Sequence, residues 1–291
     1  MKFLPKISII MNCYNGEKYL NESLNSILKQ TYKNWEVIFF DNKSTDNSKK
    51  IFKKIKDKRF KYFRSTKKLT LYTARNYAVK KAKGSYISFL DVDDLWVKNK
   101  LYKQMNLINK KKSSFVFSNC YILSKKKKIT FIKKKYKNRH ITQDLLNNYN
   151  VPILTVIFKK NLLKKYKLSF NKKYNVIGDM DLFMKLSKNI MFDYIHEPLA
   201  IYRLHSNNYS QIHHSKHNEE LSFWFKKNKK IFNNFNFDSF LINLKYRKIK
   251  SDIYENKYQK ALINFIKFPL SLKKIKLFFH FFILKKNYNL S

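Results

Sequence analysis

Three aspartates, Asp91, Asp93 and Asp94, lie within four positions in the run Phe-Leu-Asp-Val-Asp-Asp-Leu-Trp. The chain around them is strongly basic, with 63 lysines and arginines against 19 acidic residues. Carboxylate oxygens are ligands that favour Mg²⁺ or Mn²⁺, and such a cation would bridge to phosphate oxygens of a substrate. The alternative is an acidic turn that caps a helix predicted from Lys98, because an isolated motif of this kind is often only a solvated turn.

Glycine is rare in this chain and occurs only at Gly16, Gly84 and Gly178. A Walker A loop and a G-x-G-x-x-G fingerprint are therefore excluded. A nucleotide would have to be held without a glycine-rich phosphate loop.

The elements that position the aspartates alternate between strand-like and helical patterns from residue 6 to about residue 123. The apolar run from Ser85 to Leu90 predicts a buried strand whose carboxyl end delivers the aspartates, and open α/β sheets bind ligands at that end. Repeated βα units predict an α/β fold with a doubly wound, mostly parallel sheet flanked by helices. Strands are predicted at 7–12, 35–40, 60–63, 86–90, 115–123 and 153–158, and helices at 17–29, 44–56, 71–82, 98–109 and 179–186.

The second half of the chain has a different composition. Residues 124–139 are rich in lysine and predict an exposed loop or hairpin. Residues 218–285 predict helices rich in Phe, Tyr and Lys, interrupted at Pro269. Within them, residues 277–284 are apolar and flanked by lysines, so they either lie in an anionic membrane interface or pack as a helix on the main domain.

The formal net charge of +44 is extreme. It is compatible with a polyanionic partner, but Asn, Ile, Phe and Tyr are enriched together with Lys, as a biased base composition of the genome would also produce. A basic nucleic-acid-binding protein is a rival interpretation, although neither a base-stacking platform nor a groove-reading motif is visible. We therefore expect no nucleic acid partner.

The cysteines and the apolar segments bear on the compartment. Cys13 and Cys120 lie in apolar runs without metal-ligand spacing, which indicates reduced core thiols. No signal peptide and no bilayer-spanning stretch is recognised. These features predict a cytoplasmic protein, peripheral on the inner face of the membrane if the tail binds lipid.

Four segments, taken in order, resemble a family 2 glycosyltransferase with the GT-A fold. They are residues 7–46, with Tyr-Asn-Gly-Glu at 14–17; residues 73–95, with Ala-Arg-Asn and the aspartates; Gly-Asp-Met-Asp-Leu-Phe at 178–183; and residues 197–205, ending in Tyr-Arg-Leu-His. The resemblance covers roughly residues 5–212. It implies a GT-A domain over 1–215, with a nucleotide-binding half of about 5–123 and an acceptor-side half of about 124–215, followed by a helical, basic and aromatic C-terminal region over 216–291.

The resemblance also implies a nucleotide site. Asp41 would accept a hydrogen bond from the nucleobase, with Tyr14 beside the base and Asn12 nearby. The same segment adds Asn15 and Glu17 to the nucleotide-binding candidates. The alternative for Asp41 is a cap on the turn before Ser44.

For the metal, the resemblance implies that Asp93 is a ligand and that Asp91 supports the ribose or the metal shell. Mn²⁺ or Mg²⁺ would neutralise charge that develops on the departing nucleoside diphosphate. Arg75 would orient the aspartates or reach the diphosphate, unless it is a surface charge. Asp94 would cap the following helix.

For catalysis, the resemblance implies that Asp179 is the general base and that Asp181 braces the start of its helix. Family members often have an acidic pair at this point, whereas Gly178 precedes Asp179 in this chain. Arg203 would contact the diphosphate, and His205 would contact the diphosphate or the metal, with a structural histidine as the alternative for His205.

The sequence therefore predicts an inverting, metal-dependent glycosyltransferase. It would move a sugar from a nucleotide-sugar, with a UDP-sugar as the default donor, to an acceptor hydroxyl. The acceptor would be a glycan or a lipid-linked glycan of a surface polysaccharide such as lipopolysaccharide or capsule. A catalytically inactive, glycosyltransferase-like scaffold is the remaining alternative, and the intact Asp91, Asp93 and Asp179 argue against it.

Overall fold

The computed structural model describes residues 5–124, 127–132, 136, 139–206, 208 and 213–288. The chain divides into two compact units, which we call unit 1 (Met1–Thr142 and Asn150–Ser206) and unit 2 (Gln143–Tyr149 and Asn207–Ser291). The boundary near residue 206 lies close to the predicted one at 215. The structure differs in assigning the short segment 143–149 to unit 2.

Unit 1 is built on one sheet with the strand order β3-β2-β1-β4-β8-β6-β9-β5, and β7 pairs with β6. The strands are β1 (Ile7–Cys13), β2 (Trp35–Asp41), β3 (Phe60–Arg64), β4 (Tyr86–Phe89), β5 (Leu95–Trp96), β6 (Phe115–Leu123), β7 (Lys128–Thr130), β8 (Ile157–Lys159) and β9 (Asp193–Arg203).

Helices flank the sheet in unit 1 and make up most of unit 2. They are α1 (Glu17–Leu28), α2 (Ser48–Lys53), α3 (Leu71–Lys81), α4 (Lys100–Lys111), α5 (Thr142–Asn147), α6 (Asn161–Lys165), α7 (Gly178–Ser187), α8 (His214–Asn228), α9 (Asp238–Tyr254), α10 (Tyr258–Ile266) and α11 (Leu272–Tyr288). A single 3₁₀ turn covers Ile153–Thr155, where the sequence predicts a strand.

The first half of the sheet is parallel, as predicted. β1 pairs in parallel with β2 and β4, and β2 pairs in parallel with β3. The second half is mixed, because β8 runs antiparallel to both β4 and β6, and β5 runs antiparallel to β9. β6 and β9 again pair in parallel, so the sheet is mixed, with parallel pairs among β3, β2, β1 and β4 and between β6 and β9. Strands as short as β5 and β8 have too few residues to show a pattern in the sequence.

The core of unit 1 fixes the carboxyl ends of the central strands. Every residue of β1 and β2 is buried, as expected for parallel strands covered on both faces. Helix α1 packs with Leu20, Leu24 and Ile27 fully buried at helical spacing. The loops that follow β1, β2 and β4 consequently begin at one rim of a rigid sheet.

The lysine-rich stretch 124–139 lies partly outside the described residues. Its described part includes β7, which pairs antiparallel with β6 and forms the hairpin that the sequence left open. Asn119 fixes this hairpin, because its side-chain amide donates to the backbone oxygen of Ile132 and its side-chain oxygen accepts from the Ile132 N–H, both at 2.8 Å.

Unit 2 has its own apolar cluster. Its buried members come from α9, α10, α11 and the segment between the last two: Ile249, Ile253, Ala261, Phe268 and Leu277. In the part of the chain that the structure describes, no helix is both long and apolar enough to cross a membrane.

Candidate active site

The acidic turn follows β4 at the carboxyl rim of the sheet. The backbone N–H of Asp94 donates to the backbone oxygen of Asp91 at 3.1 Å and closes the turn. The Asp91 and Asp93 side chains remain 34% and 25% exposed, whereas Asp94 is 2% exposed. Two of the three carboxylates therefore face solvent, and one is part of the core.

Asp94 has a structural role that differs from the predicted helix cap. Its Oδ1 accepts a hydrogen bond of 2.9 Å from the backbone N–H of Arg203, while Asn99 is the residue at the start of α4. Burial, together with the charges of Asp93 and Asp91, raises the pKa of Asp94 well above its ordinary value. Asp94 thus ties the acidic turn to the end of β9.

Arg75 binds the carboxylate of Asp91. It lies on α3 with a side chain only 4% exposed, and its Nη2 is 2.7 Å from Oδ1 and 3.0 Å from Oδ2 of Asp91. The surface-charge alternative is therefore wrong. Of the two remaining roles, orientation of the aspartates is the one with a direct contact.

His205 and Arg203 contact the acidic turn at Asp93. His205 Nε2 is 3.0 Å from Oδ2 of Asp93. Arg203 Nε donates to the backbone oxygen of Asp93 at 3.0 Å, and its Nη2 binds Glu22 Oε2 at 2.7 Å. The rings of His205 and Tyr19 are 5.3 Å apart, and the Arg203 guanidinium lies 4.4 Å from the Tyr19 ring centre. Both predicted diphosphate contacts therefore hold the acidic turn in this structure.

The donor set at this turn fits a divalent cation. Burial and the charge of Asp91 raise the pKa of Asp93, while the hydrogen bond with His205 lowers it. A cation placed at such a pair of exposed carboxylates would relieve their repulsion. Among the described residues no group of three or more His, Cys, Asp or Glu forms a complete metal cage. The residues therefore suit an open site whose other ligands come from a substrate diphosphate or water.

Asp179 lies in the first turn of α7 and is partly exposed. Its Oδ1 is 2.9 Å from the Tyr72 hydroxyl, which is also 2.8 Å from the backbone oxygen of Val176. Burial raises the pKa of Asp179, and the charge of Arg75 and the hydrogen bond from Tyr72 lower it. Asp179 is thus a partly exposed residue whose carboxyl pKa is raised, and a raised pKa suits a proton acceptor.

Asp181 differs from Asp179 in its surroundings. It is 1% exposed, and its Oδ1 binds Lys185 Nζ at 2.7 Å, one turn further along α7. This contact agrees with the predicted role in bracing the helix. The structure therefore gives the two aspartates separate environments although they are only two residues apart.

Tyr14 and Asn12 lie at the end of β1. Tyr14 is 46% exposed, and Lys68 Nζ lies 3.8 Å from its ring centre. Asn12 is 8% exposed, and neither its Nδ2 nor its Oδ1 has a hydrogen-bond partner in the structure. A buried amide with both groups unpaired is costly, which makes Asn12 a candidate for a ligand contact.

Asp41 is the last residue of β2. It is fully buried; its Oδ1 accepts a hydrogen bond of 2.7 Å from the Ser44 N–H, and its Oδ2 accepts one from the Tyr62 hydroxyl. The structure therefore has Asp41 as the turn cap that the sequence left open as the alternative. A contact between Asp41 and a nucleobase stays a prediction.

Asn15 and Glu17, which follow β1, accept hydrogen bonds from the loop that follows β2. Asn15 has a left-handed backbone (φ 52°), and its Oδ1 accepts from the Thr45 N–H at 2.9 Å. Glu17 Oε2 accepts from the Asn47 N–H at 2.9 Å. These hydrogen bonds shape the loops after β1 and β2, and nucleotide contact by Asn15 and Glu17 stays a prediction.

Two residues near the site were not candidates from the sequence. Tyr72, on α3, contacts Asp179, and the rare glycine at 178 was the only signal that could have pointed to it. Lys100, on α4, is fully buried, with Nζ 3.3 Å from Ser88 Oγ and 4.0 Å from the Trp96 ring centre. Burial lowers the pKa of Lys100 well below its ordinary value, and no sequence pattern separates it from the surrounding surface lysines.

Comparison with known proteins gives the family and the fold. The sequence profile of Glycosyl transferase family 2 matches residues 8–177. The chain is 36% identical over 168 residues to the UDP-Glc:alpha-D-GlcNAc-diphosphoundecaprenol beta-1,3-glucosyltransferase WfgD of Escherichia coli, a match that covers 57% of this chain and 65% of that protein.

Two solved structures share the architecture. TarS 1-349 of S. aureus in complex with UDP-GlcNAc superposes with a TM-score of 0.63 at 19% identity, covering 84% of this chain and 81% of that one. The mannosyltransferase PcManGT from Pyrobaculum calidifontis in complex with GDP-Man and Mn2+ gives a TM-score of 0.63 at 15% identity, covering 95% and 79%. The GT-A fold expected from the sequence is confirmed, and the chain belongs to glycosyl transferase family 2.

Proposed function

We propose that this chain transfers a sugar from a nucleotide-sugar, with a UDP-sugar as the expected donor, to a hydroxyl of a lipid-linked acceptor in surface-glycan synthesis. The family supports the reaction class. The name of the Escherichia coli relative, which describes a UDP-Glc donor and a diphosphoundecaprenol acceptor, supports the substrate classes. The observation on which the proposal mainly depends is the pair of solvent-facing carboxylates, Asp91 and Asp93, at the carboxyl rim of the sheet.

In this proposal Asp91 and Asp93 hold Mn²⁺ or Mg²⁺. When bound, the cation would neutralise negative charge that develops on the leaving diphosphate. Arg75 orients Asp91, and His205 orients Asp93. Both supports are side chains with little exposure, so the two carboxylates are pre-positioned before a ligand arrives.

The proposed base is Asp179. A base must be ionised before it can accept the proton of the acceptor hydroxyl, and a raised pKa makes it a better acceptor once ionised. The Arg75 charge and the Tyr72 hydrogen bond both favour the ionised form. Attack from the face opposite the leaving group would invert the configuration at the anomeric carbon.

Asn12 and Tyr14 are the proposed contacts for the nucleobase. The exposed Tyr14 ring offers a stacking face, and the Asn12 amide offers one donor and one acceptor that have no partner in the structure. The imide edge of uracil presents the complementary donor and acceptor groups.

We also propose that unit 2 holds the enzyme on the inner face of an anionic membrane, where a lipid-linked acceptor would be found. Large apolar side chains of α10, α11 and their connection are strongly exposed, including Ile266 at 66%, Leu270 at 91% and Leu272 at 78%. The sequence has no acidic residue after Glu255, while lysines continue to Lys286. An apolar surface among lysines suits the interface of an anionic bilayer.

The proposed activity can be tested without knowledge of the acceptor. UDP-glucose, UDP-N-acetylglucosamine and GDP-mannose are incubated with the full chain, with Mn²⁺ or with a chelator, and release of the nucleoside diphosphate is measured. We expect Mn²⁺-dependent hydrolysis of a UDP-sugar. Absence of hydrolysis with every donor, together with absence of UDP binding by calorimetry, would contradict the proposal and favour an inactive scaffold.

A further inference from the structure

Tyr72 is the buried partner of the proposed base. It is 1% exposed, and its ring is stacked on Phe170 with ring centres 5.5 Å apart. The hydroxyl at the end of this fixed ring is 2.9 Å from Oδ1 of Asp179 and 2.8 Å from the backbone oxygen of Val176, so its one proton is shared between two acceptors. A hydrogen bond from a held donor restricts the carboxylate more strongly than one from a mobile side chain or water would.

Gly178 provides the space for the Tyr72 ring. A Cβ at position 178 would lie 2.6 Å from both Cδ2 and Cε2 of Tyr72, far inside van der Waals contact. Neither side can move away easily, because the ring is packed on Phe170 and Gly178 begins helix α7. A tyrosine at 72 therefore requires glycine at 178.

Tyr72 and Arg75 are three positions apart on α3 and therefore lie on the same face of the helix. The Arg75 guanidinium is 5.3 Å from the Tyr72 ring centre and binds Asp91. One face of α3 thus contacts both the acidic turn, through Arg75, and the start of α7, through Tyr72.

We propose that Tyr72 is a positioning residue for Asp179. Its ring occupies the space that Gly178 leaves open, and its hydroxyl orients the Asp179 carboxylate. The proposal rests on the proposed function in that Asp179 is taken as the base. Tyr72 itself stays protonated, because burial and the neighbouring Asp179 raise its pKa well above the ordinary value. It therefore acts as a hydrogen-bond donor and not as a base.

The ionisable groups on α3 that act on Asp179 are Tyr72 and Arg75, and the backbone N–H groups of Asp179 and Met180 act on it from α7. All four favour the ionised carboxylate, and burial opposes them. Loss of the Tyr72 hydroxyl alone should therefore raise the pKa of Asp179 while Arg75 and the helix remain unchanged.

The experiment is a pH titration of Asp179 by carbon-13 NMR, using the full chain with labelled aspartate carboxyl groups. The Asp179 resonance is identified by its loss in Asp179→Asn. Tyr72→Phe keeps the ring and removes only the hydroxyl, and we expect its Asp179 titration to move to higher pH. Tyr77→Phe is the matched control, because Tyr77 lies on the same helix but is 46% exposed and faces Phe40. An Asp179 titration that is the same in folded Tyr72→Phe as in the wild type would overturn the proposal.

A second measurement tests the steric relationship by itself. Gly178→Ala should lower the melting temperature, since the added methyl group collides with the Tyr72 ring. In a Tyr72→Ala background the same change should lower it much less, because the ring is gone. An equal decrease in melting temperature in the two backgrounds would show that glycine at 178 is not needed to accommodate the Tyr72 ring. Neither measurement uses glycosyl transfer, so a failure of the proposed function is detected separately, by the activity of Asp179→Asn.

Discussion

His205 Nε2 lies 3.0 Å from Oδ2 of Asp93, although 112 positions separate the two residues. The end of β9 therefore forms one side of the acidic turn, and Arg203 strengthens this contact by binding the backbone oxygen of Asp93. Arg203 and His205, near the C-terminal end of unit 1, thus position the proposed metal site in the turn after β4.

The first prediction concerns that site. Asp93→Asn should abolish the Mn²⁺-dependent part of UDP binding in a folded protein, because a neutral amide is a poor ligand for a divalent cation. Calorimetric titration of UDP with and without Mn²⁺ measures it. Asp57→Asn is the matched control, since it removes the same charge from a surface pair with Arg59. Undiminished Mn²⁺ dependence in Asp93→Asn would remove Asp93 from the metal site.

The second prediction uses the unpaired amide of Asn12. Asn12→Leu has similar volume and removes two unsatisfied polar groups, so the free energy of unfolding should stay the same or increase. UDP affinity should fall about 2- to 10-fold, the usual value of a neutral hydrogen bond. Asn119→Leu should instead destabilise the fold, because the Asn119 amide is fully paired with Ile132. Full UDP affinity in Asn12→Leu would exclude a role in base binding.

The third prediction separates the two roles of Asp41. Asp41→Ala should lower the free energy of unfolding by about 1–3 kcal/mol, because the Ser44 N–H and the Tyr62 hydroxyl lose their acceptor. Urea denaturation measures it. If Asp41 also contacts the base, UDP affinity should fall by roughly 1.5–3 kcal/mol more than in Tyr62→Phe, which disturbs the turn but removes no base contact. Equal UDP affinities of the two variants would leave Asp41 as a turn cap.

The sequence predicted β1 to β4 and β6, but it did not predict β9, an 11-residue strand that is only partly buried. The predicted strand at 115–123 coincides with β6, and the turn after β4 lies at the predicted rim of the sheet. β5 could not be predicted, because its two residues are a strand only through pairing with Ala200 and Ile201 of β9. Short strands of this kind are defined by tertiary contacts, and not by local propensity.

The roles of the site candidates stay predictions, and the structure adds the hydrogen bonds that their side chains make. Asp41, Asn15 and Glu17 have the residue types of ligand contacts, yet their side-chain oxygens accept hydrogen bonds from neighbouring loops. Tyr72 was missed, because its contact with Asp179 joins residues 107 positions apart. Hydrogen-bond partners depend on the folded arrangement, so residue type alone does not identify them.

The fourth prediction concerns the apolar surface of unit 2. Replacing Ile266, Leu270 and Leu272 together by Gln should reduce binding to phosphatidylglycerol vesicles at least about 10-fold, because each fully buried side chain contributes about 1.5–3 kcal/mol. Co-sedimentation measures it, and phosphatidylcholine vesicles should bind weakly throughout. Ile129→Gln is the control, an isoleucine of unit 1 that is 52% exposed.

Substitution is preferable to truncation before Leu270, because truncation would remove Leu277, which is fully buried in the cluster of unit 2. Within residues 277–284, Leu277 packs in the cluster of unit 2, and Phe278 and Phe279 are exposed at 48% and 53%. Side chains beyond residue 281 lie outside the described part. Unchanged vesicle binding by the triple variant would contradict membrane docking, and a change from dimer to monomer would identify the surface as a contact between copies.

The most direct test of the account is the transfer rate of Asp179→Asn at saturating donor. If Asp179 is the base, the rate should fall about 10²–10⁴-fold, the usual contribution of a positioned proton acceptor, while donor affinity remains that of the wild type. Asp181→Asn, which loses its ion pair with Lys185, should act mainly on stability. A wild-type transfer rate in Asp179→Asn, with loss of transfer in well-folded Asp181→Asn, would contradict the assignment of the base.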